Sequence, residues 1–185
     1  MDQFSQIVAS GNFVILDTET TGLHNAEICQ IAIIDASGSP ILDTLVKPTR
    51  GIPNDAWRIH GISNAKVAEA PSWLEVGPRV QAALRGRNVF IYNADYDVSV
   101  LHSASYSVGI DFEESWRTVH CVMTAFASFY GDWNEYRQSY TWKKLDFAAR
   151  HLGVPVSDAH SALGDCKMTL GVLLEMERRI QEGRE

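Results

Sequence analysis

The sequence lacks the features that mark membrane and secreted proteins. Its longest apolar runs, at residues 13–16 and 31–34, are far shorter than the roughly 20 residues of a membrane-spanning helix. The N-terminal segment MDQFSQIVASGNF has neither a basic leader nor a long apolar stretch, so we expect no signal peptide. These absences predict a cytoplasmic protein that does not associate with membranes.

Cysteine is scarce. The three cysteines, Cys29, Cys121 and Cys166, lie far apart in the sequence and are odd in number. They show neither the paired spacing of a zinc site nor the even count of a disulfide framework. A reducing compartment such as the cytosol fits this usage.

Positive charge is in deficit, with 16 Lys and Arg against 23 Asp and Glu and a net charge of −7. Because phosphate contacts usually rest on Lys and Arg, composition by itself argues against nucleic-acid binding. The objection weakens if several carboxylates bind divalent ions, since the ions offset the acids and create a local positive centre.

Apolar patterning predicts a single α/β domain over residues 1–185, with a core at about residues 12–180. We expect strands at 12–17, 27–36, 41–47, 88–92 and 116–119, and helices over 72–85, 95–107, up to 129, 141–151 and 161–180. Segments 48–71 and 131–140 read as irregular. The short turn at 37–40 makes the second and third strands antiparallel, and later β-α-β units make the others parallel. The prediction is a mixed five-stranded sheet flanked by helices.

The first polar motif is Asp17-Thr18-Glu19-Thr20-Thr21-Gly22, directly after an apolar strand. Residues two apart in a strand project to the same side, so Asp17 and Glu19 point together. Two carboxylates this close repel unless one is protonated or a cation lies between them. The structural alternative is a strand that ends in a polar loop.

The second motif, Asn93-Ala94-Asp95-Tyr96-Asp97, follows the strand at 88–92. Asn93 and Asp95 could merely cap the next helix. Asp97 lies in the first turn of that helix, where an acid also suits the helix dipole. Capping therefore explains Asp95 fully and Asp97 only in part.

The third motif is His160-Ser161-Ala162-Leu163-Gly164-Asp165. We place His160 in the loop before the last helix, free to turn toward the side that Asp165 faces. Asp165 lies beside an apolar stripe and should be partly buried, which is costly for a carboxylate unless a metal or an Arg pairs with it. An isolated histidine before a helix is usually only a surface or capping residue.

In order and spacing, these motifs together resemble the DEDDh group of the DnaQ-like 3′–5′ exonucleases, which have a ribonuclease H-like fold. The segment His60-Gly61-Ile62-Ser63 is similar to a His-Gly-Ile-Thr/Ser segment of that family, and Leu145-Asp146-Phe147-Ala148 to the helix ahead of its last motif. The resemblance covers about residues 13–174. Two positions depart from the pattern: Tyr92 stands where the family often has His, and Tyr96 where Phe is common.

The resemblance implies release of 5′-mononucleotides by a two-metal mechanism with Mg²⁺, for which Mn²⁺ substitutes. Oxygen-only ligands suit these hard cations. It implies Asp17, Glu19, Asp97 and Asp165 as metal ligands and His160 as the general base. It further implies terminal-nucleotide contacts from Thr20, Leu23, His60, Gly61, Ile62, Asn93 and Tyr96.

The expected partner is nucleic acid, bound at a single-stranded 3′ end, whereas a polymerase partner and a homo-oligomer are left open. One rival is a noncatalytic module with this fold, which should have lost an acid or the histidine. All five residues are present. A second rival is an endonuclease or another metal-dependent phosphohydrolase, which would cut internally.

Aromatic residues are frequent between positions 116 and 142. Rings can stack single-stranded bases, although packing in the core is their commoner use. Core packing is favoured for Trp116, Phe126 and Phe129, and both uses stay open for Trp133 and Tyr136. Nearby, Lys143, Lys144 and Arg150 form a weak basic cluster that either touches phosphate or solvates a helix face.

Overall fold

The computed structural model describes residues 3–106, 108–110, 112 and 115–183. Its main sheet has five strands in the order β3-β2-β1-β4-β5. β1 pairs antiparallel with β2, and β2 with β3, whereas β1–β4 and β4–β5 are parallel. The mixed five-stranded sheet is therefore confirmed. The strands are β1 (Phe13–Thr20), β2 (Ile28–Asp35), β3 (Pro40–Leu45), β4 (Asn88–Ile91) and β5 (Thr118–Cys121).

Helices flank the sheet on both sides. They are α1 (Gln3–Ser10), α2 (Asn54–His60), α3 (Asn64–Val67), α4 (Trp73–Leu84), α5 (Ala94–Tyr106), α6 (Val122–Tyr130), α7 (Leu145–Leu152) and α8 (Ala162–Gln181). Ser72 and Glu75 form a capping box at the start of α4. None of the helices in the described part of the chain combines the length and apolar character needed to cross a bilayer.

Several predicted boundaries were wrong. The segment 48–71 contains α2 and α3, which are too short for apolar periodicity to reveal. The segment 131–140 contains a second, two-stranded sheet of β6 (Trp133–Asn134) and β7 (Ser139–Tyr140). α1 was not predicted, and α7 begins at Leu145 rather than at 141. The predicted end of α5 at residue 107 lies outside the described residues.

The sheet separates two apolar layers because successive side chains of a strand point to opposite faces. Phe13 and Ile15 of β1 pack in one layer with residues of α6, α7 and α8. Val14 and Leu16 pack in the other layer with residues of α4 and α5. A third, smaller cluster lies beneath α2 and α3. The direction that each residue of β1 faces thus decides which helices it meets.

Two adjacent leucines of α8 provide a matched test of the first layer. Leu173 is 0% exposed and Leu174 is 43% exposed. We expect Leu173→Ala to lower the free energy of unfolding by about 2–5 kcal/mol because it leaves a cavity. Leu174→Ala should change it by about 0.5 kcal/mol or less. Urea unfolding of both variants measures the difference, and equal losses would contradict this packing.

Candidate active site

Because strand residues alternate between the two faces of the sheet, the acids of the first motif lie at the N-terminal end of α8. β1 runs on through Thr20, so Asp17 and Glu19 continue the face of Phe13 and Ile15. That face is covered by α8, whose first turn contains Asp165. Oxygen atoms of Asp17, Glu19 and Asp165 all lie within 4.8 Å of one another. The structure therefore joins the first and third motifs in one carboxylate cluster.

Burial and mutual repulsion make the charged forms of these acids unfavourable. Desolvation, followed by the charges of Asp97, Asp165 and Glu19, raises the pKa of Asp17 well above its ordinary value. Desolvation and the charges of Asp165 and Asp97 raise the pKa of Glu19 to about 8. Burial also raises the pKa of Asp165. Among the described residues, none of the ion pairs between Lys or Arg and a carboxylate involves these acids.

Asp97 reaches the same end of the sheet from the opposite face. Thr18 lies between Asp17 and Glu19, so it points toward α5. Its backbone N–H and its Oγ1 both donate to Oδ1 of Asp97, at 3.1 and 2.7 Å. Asp97 is 3% exposed, and burial raises its pKa to about 7. Asp97 is not one of the three acids within 4.8 Å, but its charge acts on Asp17 and Glu19.

His160 lies in a tight turn before α8, as the sequence predicts. Its φ is +64°, it is exposed, and its backbone N–H donates to Oδ1 of Asp165 at 3.2 Å. Ser161 caps α8 by accepting from the N–H of Gly164 at 3.1 Å. A Cβ on Gly164 would lie 2.2 Å from the carbonyl oxygen of Asp158, so only glycine fits beneath this turn. No hydrogen bond to the His160 ring is present within the described part of the chain.

The loop after β1 is held by hydroxyl groups. The Tyr96 hydroxyl lies 2.6 Å from Oγ1 of Thr20 and 2.6 Å from the carbonyl oxygen of Gly22. Asn93, which precedes α5, is exposed with a φ of +67°. Beyond Gly22, Leu23 is 79% exposed at the tip of the loop. The second motif thus supports the first through Tyr96.

The His60-Gly61-Ile62 segment packs behind that loop. Nδ1 of His60 accepts from the N–H of Ile62 at 3.0 Å, and the His60 ring donates to the backbone carbonyl of Thr20. Gly61 ends α2 with a φ of +69°. Ile62 is 1% exposed and packs with Cys29 in the third cluster. The segment therefore positions the loop at Thr20.

Sequence patterns missed three residues that position this site. Thr18 fixes Asp97, and strand alternation could have indicated that it faces α5. Gln30 lies opposite Glu19 on β2 and accepts from the N–H of Ala162 at 3.3 Å, but no sequence signal marks it. Cys166 is 0% exposed, and its Sγ contacts the carbonyl oxygens of Ile15 and Ala32 at 3.8 and 3.5 Å. It anchors the start of α8 to β1 and β2.

The cluster has the properties of a site for hard divalent cations. Its three ligand residues offer only carboxylate oxygens, and no basic side chain in the described part pairs with them. Oxygen donors suit Mg²⁺ and Mn²⁺ rather than zinc. A cation between the acids would also offset the mutual repulsion that adds to the effect of burial on the pKa values of Asp17 and Glu19. The donor set therefore fits the metal ions that the motifs imply.

Comparison with known proteins agrees with this geometry. The model of the RNase_T family, described as exonuclease, matches residues 14–173. An uncharacterized exonuclease of Escherichia phage 186, CP81, is 39% identical over 166 residues, which cover 86% of this chain and 85% of the relative. A DNA polymerase III subunit epsilon-like protein of Rhodobacter capsulatus is 32% identical over 89% of this chain, which spans only 23% of that relative.

Solved structures support the fold. An ExoI–ssDNA complex from E. coli superposes with a TM-score of 0.75 at 20% identity, over 93% of this chain and 41% of that one. At this identity the likeness shows the ribonuclease H-like fold alone. The family match covers all three motifs, and the phage relative matches most of the chain. The chain therefore belongs to the RNase_T family of exonucleases and is a DnaQ-like exonuclease that acts on nucleic acid.

Proposed function

We propose that this chain is a 3′–5′ exonuclease that depends on divalent metal ions and releases 5′-mononucleotides from the ends of DNA or RNA strands. The observation that carries the proposal is the set of three carboxylate oxygens within 4.8 Å of one another, with no basic side chain paired to them in the described residues. Such a set is costly to bury without a cation.

Asp17, Glu19 and Asp165 would hold the metal ions, with Asp97 acting from the other face of β1. We expect two Mg²⁺ ions, replaceable by Mn²⁺, which would activate the attacking water and stabilise charge on the attacking and leaving oxygens. The chain keeps the ligands in place through Thr18, which holds Asp97, and through the Ser161 cap, which starts the helix of Asp165.

His160 is the proposed general base. Its ring lies on an exposed turn beside Asp165 and has no hydrogen bond among the described residues, so it can accept the proton of the attacking water. Histidine is the side chain that most often acts as a general base in catalysis. The hydrogen bond from the His160 backbone N–H to Asp165 fixes the backbone of His160 beside the carboxylate cluster.

The loop after β1 is the proposed binding site for the terminal nucleotide. Thr20 and the neighbouring backbone would hold the 3′-hydroxyl, and Leu23 and Asn93 are exposed enough to contact the terminal nucleotide. The Tyr96 hydroxyl is hydrogen-bonded to Thr20 and Gly22, so Tyr96 would act by holding this loop in place. We assign the same supporting role to His60, Gly61 and the buried Ile62.

The direct test is digestion of matched DNA and RNA strands labelled at the 5′ end. With Mg²⁺ or Mn²⁺ we expect products shortened stepwise from the 3′ end together with 5′-mononucleotides, and EDTA should stop the reaction. Asp17→Asn should abolish turnover. Without metal it should unfold at the same temperature as the wild type or a higher one, because one repelling charge is removed. Internal cuts, or turnover by Asp17→Asn, would refute the proposal.

His160→Ala tests the general base separately from metal binding. We expect kcat to fall by about 10² to 10⁴, the usual contribution of a positioned base. Stabilisation by Mg²⁺ in thermal unfolding should persist, because the carboxylate cluster is unchanged. An unchanged kcat would remove His160 from the mechanism, and loss of the metal response would assign it to the metal site.

Gly164→Ala tests whether the turn under His160 must be this tight. The new Cβ would clash with backbone, the carbonyl of Asp158, so the turn has to move and kcat should fall by about tenfold or more. Gly171→Ala is the control on the same helix. Its Cβ would meet only the side chain of Val154, at 2.5 Å. It should lower the unfolding temperature and keep the kcat of the folded enzyme. Equal kcat values in both variants would count against this role of the turn.

A further inference from the structure

The aromatic hairpin, defined here as β6, β7 and the residues between and after them up to Trp142, is not used by the reaction proposed above. Its rings are open to solvent: Tyr136 is 97% exposed, Trp142 61% and Trp133 44%. Clustered exposed apolar surface of this kind usually marks a binding site. The cluster lies outside both apolar layers of the sheet.

Hydrogen bonds order the backbone of the aromatic hairpin, and two of its rings are in contact. The N–H of Thr141 donates to the carbonyl of Asp132 at 2.7 Å, and the N–H of Arg137 donates to Oδ1 of Asn134 at 2.9 Å. The rings of Trp133 and Tyr140 meet edge to face, with centroids 5.1 Å apart. Because these bonds already order the segment, a ligand would lose little free energy in ordering it.

A direct contact ties the aromatic hairpin to the catalytic end of the sheet. The Tyr92 hydroxyl donates to the carbonyl of Lys143 at 2.9 Å. Tyr92 directly follows β4, which pairs with β1 as far as Ile15 and Phe90, two residues before Asp17. Trp142 immediately precedes Lys143. A strand whose 3′ end lay at Asp17 and whose upstream nucleotides ran toward this contact would reach the aromatic hairpin.

Local charge limits the number of phosphate contacts near the aromatic hairpin. The Lys143 ammonium pairs with Asp132 and lies 5.1 Å from the centre of the Tyr130 ring. Arg150 pairs with Asp146. Arg137 and Lys144 are exposed, and none of the ion pairs in the described part of the chain involves them. In a chain of net charge −7, this region therefore offers a strand exposed ring surface and two exposed cations.

We infer that the aromatic hairpin binds single-stranded nucleic acid a few nucleotides upstream of the 3′ end, by stacking unpaired bases on Tyr136 and Trp142. The inference rests on the proposed function, because that function places the 3′ end at Asp17. Stacking is tolerant of base sequence and needs unpaired bases. It makes single strands the preferred substrate and limits the salt dependence of their binding to what Arg137 and Lys144 contribute as phosphate contacts.

The experiment compares KM for a dinucleotide and for a single strand of about 16 nucleotides, long enough for a complete single-strand site. Tyr136→Ala and Trp142→Ala should each raise KM for the long strand about fivefold or more, with kcat unchanged. Neither should change KM for the dinucleotide, which is too short to reach the rings. Trp142→Phe, which keeps an aromatic face, should restore most of the loss.

Tyr106→Ala is the matched control, because Tyr106 is 92% exposed at the far end of α5, a helix of 13 residues or about 20 Å. It should leave KM for both substrates unchanged. Affinity of the inactive Asp17→Asn protein for the long strand should fall by no more than about sevenfold between 50 and 200 mM salt, as for two phosphate contacts.

The outcomes separate the inference from the proposed function. Release of mononucleotides with an unchanged KM for the long strand in Tyr136→Ala and Trp142→Ala overturns the inference alone, and would assign the rings to a protein partner. A steep salt dependence also overturns it. Absence of 3′-end trimming overturns the proposed function, whereas binding of the long strand through the rings can still be measured with the Asp17→Asn protein.

Discussion

Repulsion between carboxylates that burial has removed from water is the constraint around which this end of the molecule is organised. Asp17, Glu19 and Asp165 lie together on one face of the sheet, and the charge of Asp97 acts on Asp17 and Glu19 from the other face. Because they are buried and close together, these acids lower the stability of the fold, so the surrounding core must hold them together. The acids are held in place from the core side by the fully buried residues of β1 and β2 and by the thiol of Cys166.

Because successive residues of a strand face opposite sides of the sheet, two helices on opposite faces contribute to one site. Residues 17, 18 and 19 of β1 point to alternate faces, so Thr18 meets α5 while its two acidic neighbours meet α8. The second and third motifs therefore approach from opposite sides of the sheet and still converge at its end. Neither helix could supply all of the acids, because each covers one face only.

The sequence predicted the parts of the fold that depend on local pattern. The five strands, the hairpin of β2 and β3 and the loop position of His160 follow from periodicity and turn residues. The missed parts depend on contacts between distant segments or on very short elements. Gln30 is joined to Ala162 across 132 positions, and β6 has only two residues, so neither leaves a periodic signal. Within the site, motif order indicated which acids to consider, but only coordinates show that Tyr96 is bonded to Thr20 and Gly22.

Alkylation of the Cys166 thiol can be used to follow local unfolding at the start of α8. Cys29 and Cys166 are fully buried, and burial raises the pKa of both thiols, so neither presents a reactive thiolate in the folded state. Cys121 is partly exposed. An alkylating reagent would therefore modify Cys121 first and reach Cys166 only when the start of α8 lifts from β1 and β2. The rate of that second modification reports local unfolding beneath the carboxylates, and a bound cation should slow it.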